Sequence, residues 1–119
     1  MKKEDKVLLD AIVEGMQEKK SKRIVLVDMT KLEAPCQYFV ICEGDSSVHV
    51  SSIGMEVKDY VKKKTGEKPF ATDGFDNSEW IALDYGSVIV HIFRREPRAF
   101  YDIEHLWMDA DIKEFEDVL

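Results

Sequence analysis

The sequence predicts an α/β (α+β) layer fold, in which a mixed β-sheet of about five strands is flanked by helices. Apolar residues recur at spacings of three and four in residues 4–20 and again from about 46 to 65, as on one face of a helix. Near-continuous apolar runs lie between and after these segments and are typical of buried strands. The resulting order of elements is helix, two strands, helix, three strands, helix, which indicates helices packed on a sheet.

Length and charge restrict the class of protein. The chain has 119 residues, of which 45% are hydrophobic, and this fits one domain spanning residues 1–119. Its net charge of −7 argues against extensive direct binding to nucleic acid, which normally needs a basic face. The charge suits either a basic protein partner or solubility alone. The sequence contains neither a membrane-length apolar window nor a signal-peptide core, so a cytoplasmic protein is expected.

The first half of the chain contains two predicted helices and two predicted strands. The apolar face of the first helix is followed by buried strands at 23–29 and 36–44. Residues 45–47, Asp-Ser-Ser, indicate the N-terminal cap of the second helix. Three lysines at 62–64 suit the last turn of that helix because of its dipole, and Gly66 is expected to end it.

The second half begins with a short strand or extended arm at 68–74, followed by a polar turn at 75–79. A hairpin at 80–93 comes next. Pro97 is expected to start the last helix, since proline is tolerated in the first helical position. That helix would have one apolar face, made of Phe100, Ile103, Leu106 and Trp107. Residues 108–119 form an acidic C-terminal tail, for which helical and frayed conformations both remain open.

The hairpin carries one carboxylate, Asp84, and one imidazole, His91, in an otherwise apolar run. A two-residue turn at Tyr85-Gly86 would place Asp84 opposite Ser87 and Trp80 opposite His91. Opposed residues share a face, so this register separates an apolar face from a mixed one. The apolar face consists of Ile81, Leu83, Val88, Val90 and Ile92. The mixed face consists of Trp80, Ala82, Asp84, Ser87, Ile89, His91 and Phe93.

Two interpretations of the mixed face remain open. A helix could cover it, with Asp84 and His91 satisfied by local hydrogen bonds. Alternatively it is a docking surface, since the centres of interfaces favour aromatic side chains with a few polar groups. Both interpretations can hold for different parts of the same face.

Catalytic chemistry finds little support in the sequence. The Glu43–Ser47 loop, between a strand and a helix, could hold a phosphate on its backbone amides, so the alternative function is a nucleotide-binding or nucleotidyltransferase-like enzyme. This loop lacks the glycine pattern and lysine of a P-loop, and no pair of carboxylates converges on it. The three histidines lack the spacing of a metal site. No enzyme activity, cofactor or metal is therefore expected.

Four segments carry a resemblance to a known family. They are VLVDM at 25–29, YFVICEGDSS at 38–47, WIALDYGSVIVHIF at 80–93 and RAFYDIEHLW at 98–107. The last two contain the specific patterns WxxxDYGxxxVHxF and RxFYxxExLW. Over about residues 5–107 the chain resembles the ribosomal silencing factor family, also called Iojap.

The resemblance implies a translational repressor. It implies binding to large-subunit ribosomal protein fourteen on the large ribosomal subunit, which sterically blocks joining of the small subunit. It also implies a fold like that of a nucleotidyltransferase domain without the catalytic carboxylates, and a possible homodimer.

The family pattern is carried onto residues that match it in place, and these are the predicted partner-binding residues. Trp80 would be an apolar anchor, and Asp84 would accept a hydrogen bond or ion pair from the partner. His91 would orient Trp80 or bond across the interface. The remaining members are Tyr85, which would add contact area at the hairpin tip, Gly86, which permits the turn, Phe93 and Tyr101.

Overall fold

The computed structural model describes residues 2–107 and 109–119, which form a six-stranded mixed sheet with helices. The helices are α1 (Lys3–Glu18), α2 (Ser47–Thr65), α3 (Arg95–Tyr101) and a 3₁₀ helix (Ile103–Trp107). The strands are β1 (Lys22–Asp28), β2 (Tyr38–Gly44), β3 (Ala71–Asp73), β4 (Trp80–Asp84), β5 (Val88–Arg94) and β6 (Asp111–Glu114). The predicted α+β class with a mixed sheet and helices is confirmed.

The strand order across the sheet is β3-β4-β5-β2-β1-β6. β2 and β5 pair in parallel, whereas the other neighbouring strands of the described chain pair antiparallel. Every residue of β2 is buried, as the apolar run predicted for a strand covered on both faces. The parallel pairing places the carboxyl ends of β2 and β5 together, next to the start of α3.

Helices α1 and α2 cover one face of the sheet and form the larger core with it. Ile12 and Met16 of α1 and Ile53 of α2 are completely buried. Each such side chain contributes about 1.5–3 kcal/mol of burial free energy. The helices approach closely at Gly15, where an added Cβ would lie 3.2 Å from the Cα of Val57.

The ends of α2 follow the sequence prediction. The Ser46 hydroxyl accepts the His49 backbone N–H at 3.1 Å and caps the helix. Gly66 adopts φ = 81° at the other end and its N–H bonds to the Lys62 carbonyl. The predicted cap and stop are confirmed.

The opposite face of the sheet carries a second, smaller core, covered by the segment between β1 and β2 and by the 3₁₀ helix. Its buried members are Val25, Val27, Met29, Cys36, Phe39, Ile41, Phe93 and Ile103. Trp80 and Trp107 pack at its edge and remain partly accessible. This face is therefore covered in its middle and open beside β4.

The predicted hairpin register is wrong by two residues. Tyr85 pairs with Val88 through its N–H, so the two-residue loop is Gly86-Ser87. The observed pairs in the strands are Trp80 with Phe93, Ala82 with His91 and Asp84 with Ile89. A shift of two residues preserves which side chains share a face, because side chains alternate with period two. The separation into an apolar and a mixed face is confirmed.

The C-terminal region differs most from expectation. α3 begins at Arg95, so Pro97 is its third residue and not its first as predicted. The third position still lies in the first turn, where the missing N–H of proline costs no hydrogen bond within the helix. α3 ends at Tyr101, before three of the four residues of the predicted apolar face, so that single face does not form. Phe100 is exposed and Ile103 is buried in the second core.

The acidic tail is not helical in the part that the structure describes. Residues 111–114 form β6 and pair antiparallel with β1. Phe115 follows, with its N–H bonded to the Ile24 carbonyl and its ring against the larger core. All four residues of β6 are exposed, so the strand is held by backbone pairing. Without buried residues, its sequence does not show the alternation of apolar and polar residues that predicts a strand. Position 108 of the predicted tail lies outside the described residues.

Gly86 provides the first stability prediction. It adopts φ = 89°, and an added Cβ would lie 3.1 Å from the exposed Phe70 ring. We expect Gly86→Ala to lower the free energy of unfolding by about 1–2 kcal/mol, because an L side chain is strained at this φ. Urea unfolding measures the change. Ser87→Ala, in the same loop, should change stability by less than about 0.5 kcal/mol; equal effects of the two substitutions would refute the strain argument.

Candidate partner-binding surface

An aromatic cluster is centred on Trp80. Because Trp80 and Phe93 are paired across β4 and β5, their rings stack with centroids 4.8 Å apart. Tyr101, from the end of α3, lies against the outer side of the same indole, also at 4.8 Å. Phe93 is completely buried, whereas Trp80 is partly accessible and Tyr101 is 51% exposed. The cluster therefore runs from the core to the surface.

His91 lies beneath this cluster and is hydrogen-bonded within it. The Trp80 Nε1–H donates to His91 Nδ1 at 3.0 Å. The orienting contact that the sequence suggested for His91 is thus present, although Trp80 is opposite Phe93 and reaches the imidazole diagonally. Because Nδ1 is the acceptor, the neutral ring carries its proton on Nε2, which is buried and has no hydrogen-bond partner among the described residues.

Burial gives His91 a pH-dependent effect on stability. Desolvation lowers the pKa of this imidazole from its ordinary value of 6.5 to about 4. The unfolded chain therefore binds a proton at this imidazole below about pH 6.5, whereas the folded chain binds it only below about pH 4. The stability due to neutral His91 is fully present above pH 6.5 and is lost as the pH falls towards 4.

We expect this loss to reach about 2 kcal/mol between pH 7 and pH 5, at 1.36 kcal/mol per pH unit. Urea unfolding of the wild type and of His91→Gln at both pH values isolates the contribution, because the other titrating groups are common to both. The wild type should lose about 2 kcal/mol more than the variant. Parallel pH profiles would show that His91 is not held neutral by the fold.

The surface around Trp80 is an open groove of about 730 Å³ between α3 and the β3–β4 connection. Trp80, Pro97, Phe100 and Tyr101 form its apolar part. Phe100 is 82% exposed and its ring meets that of Tyr101 edge to face at 5.1 Å. Three carboxylates and one guanidinium also line the groove: Asp73, Glu79, Glu96 and Arg94. Since Arg94 is paired with Glu79 at 3.3 Å, the groove has an excess of negative charge.

The other predicted partner-binding residues lie apart from this groove. Asp84 is at the far end of β4, four residues or roughly 13 Å from Trp80, and its carboxylate accepts the Gly86 N–H at 2.8 Å. Gly86 has the positive φ expected of it, but it is the first residue of the loop and not the second as predicted. The expectation of an exposed Tyr85 at the hairpin tip is wrong. Tyr85 is 3% exposed and packs in the larger core, because the register places it in the last pair of the ladder.

Arg98 is a structural residue that sequence reasoning did not identify. It is 3% exposed, and its Nε and Nη2 form a bidentate ion pair with Glu104 at 2.9 and 3.1 Å. Its Nη1 donates to Glu43 at 3.2 Å and to the Arg23 carbonyl at 2.7 Å. This buried arginine therefore connects β1, β2, α3 and the 3₁₀ helix, and fixes α3 on the sheet.

The same network perturbs Glu104. Burial alone would raise the pKa of its carboxyl, but the hydrogen bonds and charge of Arg98 outweigh burial and lower it. The RxFYxxExLW pattern contains both Arg98 and Glu104 at a spacing of six. That spacing gave no signal because it does not place two residues on one face of a continuous helix.

The Glu43–Ser47 loop uses its polar groups internally. Glu43 is buried against Arg98, and Ser46 caps α2. The Asp45 N–H donates to His49 Nδ1 at 2.9 Å, and His49 Nε2 donates to the Lys19 carbonyl at 2.7 Å. The backbone amides of Asp45 and His49 thus have partners within the chain, and this arrangement gives no support to a phosphate site.

The described residues contain neither a metal-binding cluster nor a membrane-spanning helix. In residues 2–107 and 109–119 no three His, Cys, Asp or Glu side chains are grouped so that they could hold a metal ion. Within the same residues no helix combines the length and the apolar character needed to cross a membrane.

The fold and the groove together define a small α+β domain with an exposed aromatic and acidic surface, an arrangement suited to binding a basic partner. The family model described as "Ribosomal silencing factor during starvation" (RsfS) matches residues 2–119. The chain therefore belongs to the ribosomal silencing factor family, and the resemblance noted in the sequence is confirmed.

Individual relatives agree with this assignment. A ribosomal silencing factor from Halalkalibacterium halodurans is 33% identical over 94% of this chain and 95% of the relative. A crystal structure from Chromobacterium violaceum has a TM-score of 0.81 at 29% identity, covering 91% of this chain and 88% of that one. The mouse protein named "Mitochondrial assembly of ribosomal large subunit protein 1" is 27% identical over 93% of this chain and 48% of its own length.

Proposed function

We propose that the chain represses translation in the cytoplasm by binding large-subunit ribosomal protein fourteen and sterically blocking the joining of the small subunit. Membership of the silencing factor family supports a role on the ribosome. The name of the mouse relative supports the large subunit as the particle that is bound. The observation that carries the proposal is the exposed aromatic groove beside Trp80.

The chemistry of the groove favours a basic protein surface. Phe100 and Tyr101 offer large, exposed aromatic area, which is the usual source of binding energy at interfaces. Carboxylates on the rim would form ion pairs with Lys or Arg side chains of the partner and accelerate association. Silencing by occlusion needs only this binding, since a bound domain occupies space that the small subunit would otherwise fill.

The predicted site residues then divide into two groups. Trp80 and Tyr101 contact the partner, and the buried His91 and Phe93 hold the indole in place from behind. Asp84, Tyr85 and Gly86 stabilise the hairpin loop. A homodimer that persists on the ribosome would have to use a different surface, because one aromatic groove cannot be buried in both contacts at once.

The experiment is co-sedimentation of the purified chain with isolated large subunits, small subunits and joined ribosomes, followed by a subunit-joining assay by light scattering. We expect the chain to pellet with large subunits alone and to reduce joining in proportion to its occupancy. Pelleting with small subunits, or binding to large subunits that leaves joining unchanged, would contradict the proposal.

A further inference from the structure

A lysine-rich segment stands out against the acidic chain. Residues 58–68 contain five lysines and two acids, a net charge of +3 within a chain of net charge −7. Lys63 is paired with Asp59 at 2.9 Å. Lys58, Lys62 and Lys68 are exposed and have no ion-pair partner in the part of the chain that the structure describes. Lys58 also lies over the Phe75 ring, 5.5 Å from its centroid, a contact that does not neutralise its charge. The three positive charges are therefore available to an external anion.

These three lysines line one groove. It has a volume of about 440 Å³ and is bounded on one side by α2, through Met55 and Asp59, and on the other by Pro69 and Thr72 beside β3. The i,i+4 spacing of Lys58 and Lys62 places both on the same side of α2, and Lys68 reaches the groove after the helix has ended at Gly66. The Asp59 carboxylate in the groove is already neutralised by Lys63.

An exposed aromatic ring lies at the same edge. Phe70 is 83% exposed, although its backbone is fixed by the bond from its N–H to the Asp84 carbonyl at 2.7 Å. Phe70 comes directly before β3, two residues after Lys68 and two before Thr72, and both of these residues line the groove. Asp73, on the other face of β3, lines the Trp80 groove. The two grooves therefore flank one edge strand.

We propose that Lys58, Lys62, Lys68 and Phe70 bind a single-stranded RNA segment, with its phosphates on the lysines and a base stacked on the ring. Unpaired lysines along a groove with an exposed aromatic are the combination that single-strand binding requires. An acidic protein segment would use the lysines but has no base to stack on Phe70. The surface is separate from the Trp80 groove, so the inference goes beyond the proposed function.

The test is fluorescence anisotropy of the free chain with a labelled oligouridylate of about 12 nucleotides at about 50 mM salt. The triple variant Lys58→Glu/Lys62→Glu/Lys68→Glu is compared with Lys2→Glu/Lys3→Glu/Lys20→Glu, which changes three exposed lysines elsewhere by the same net charge. We expect the first to weaken binding at least about ten-fold more than the second. The slope of log K against log salt should be about −2 for three phosphate contacts.

Phe70→Ala tests the stacking part, and we expect about five-fold weaker binding with an unchanged salt slope. Any of four results would overturn the inference. They are equal losses of affinity in the two triple variants, wild-type affinity in Phe70→Ala, no binding by the wild type, and tighter binding of a length-matched oligoglutamate. The assay contains no ribosomes. Its failure therefore leaves subunit binding through the Trp80 groove intact, and loss of subunit binding in a Phe100→Ala variant leaves the RNA result intact.

Discussion

Replacement of Arg98 by Met is expected to lower the free energy of unfolding by about 3 kcal/mol, the lower end of the range for removing one partner of a buried ion pair. The guanidinium supplies both hydrogen bonds to the buried side of Glu104, one to Glu43 and one to the Arg23 carbonyl. Methionine fills much of the volume but leaves Glu104 and the Arg23 carbonyl without these donors. The side chain of Arg23, 3.3 Å from Glu43, still compensates one carboxylate, which is why the upper end of the range is not expected.

Urea unfolding of Arg98→Met and of Lys63→Met gives the comparison. Lys63 forms an exposed i,i+4 pair with Asp59, and pairs of that kind contribute only about 0.3–0.5 kcal/mol. Adding Glu104→Gln to Arg98→Met should recover part of the lost stability, because it removes the negative charge of Glu104 that has lost its partner. If both lysine and arginine variants lose the same small amount, the buried network does not hold α3 on the sheet.

The double substitution Phe100→Ala/Tyr101→Ala is expected to weaken binding to the large subunit by at least about 30-fold, the effect of losing a hot spot worth about 2 kcal/mol. Stability should change little, since both side chains are more than half exposed. A quantitative pelleting assay with isolated large subunits measures the affinity, and urea unfolding measures stability in parallel.

Val48→Ala is the matched control for this experiment. Val48 is 81% exposed on α2 and does not line the Trp80 groove, and alanine is the better helix former. We expect wild-type binding from this variant. Wild-type affinity in a folded Phe100→Ala/Tyr101→Ala variant would mean that the groove is not the docking surface.

Local sequence patterns were sufficient for much of the fold. The Ser46 cap and the Gly66 stop of α2 depend on neighbouring residues only, so the sequence located both ends. The two faces of the hairpin were also predicted, because alternation with period two survives a register error of two residues. The register itself depends on which residues form the loop. Tyr85, predicted as a loop residue, is paired with Val88 instead.

Features that depend on distant contacts were not predictable in this way. β6 has no buried residue and is defined by pairing with β1, more than 80 residues earlier in the chain. Arg98 looks like an ordinary surface charge until Glu43 and Glu104 are brought around it. In the candidate site, the family pattern identified Trp80, His91 and Tyr101, but only the structure separates this cluster from Asp84 and the buried Tyr85.

The most direct test of partner binding through the Trp80 groove is site-specific photo-cross-linking on the large subunit. The photoreactive residue p-benzoylphenylalanine would replace Phe100, with the same replacement at Val48 as the control, and mass spectrometry would identify the attached protein. We expect a cross-link from position 100 to large-subunit ribosomal protein fourteen and none to that protein from position 48. A cross-link from position 100 to a different component, or the same product from both positions, would contradict it.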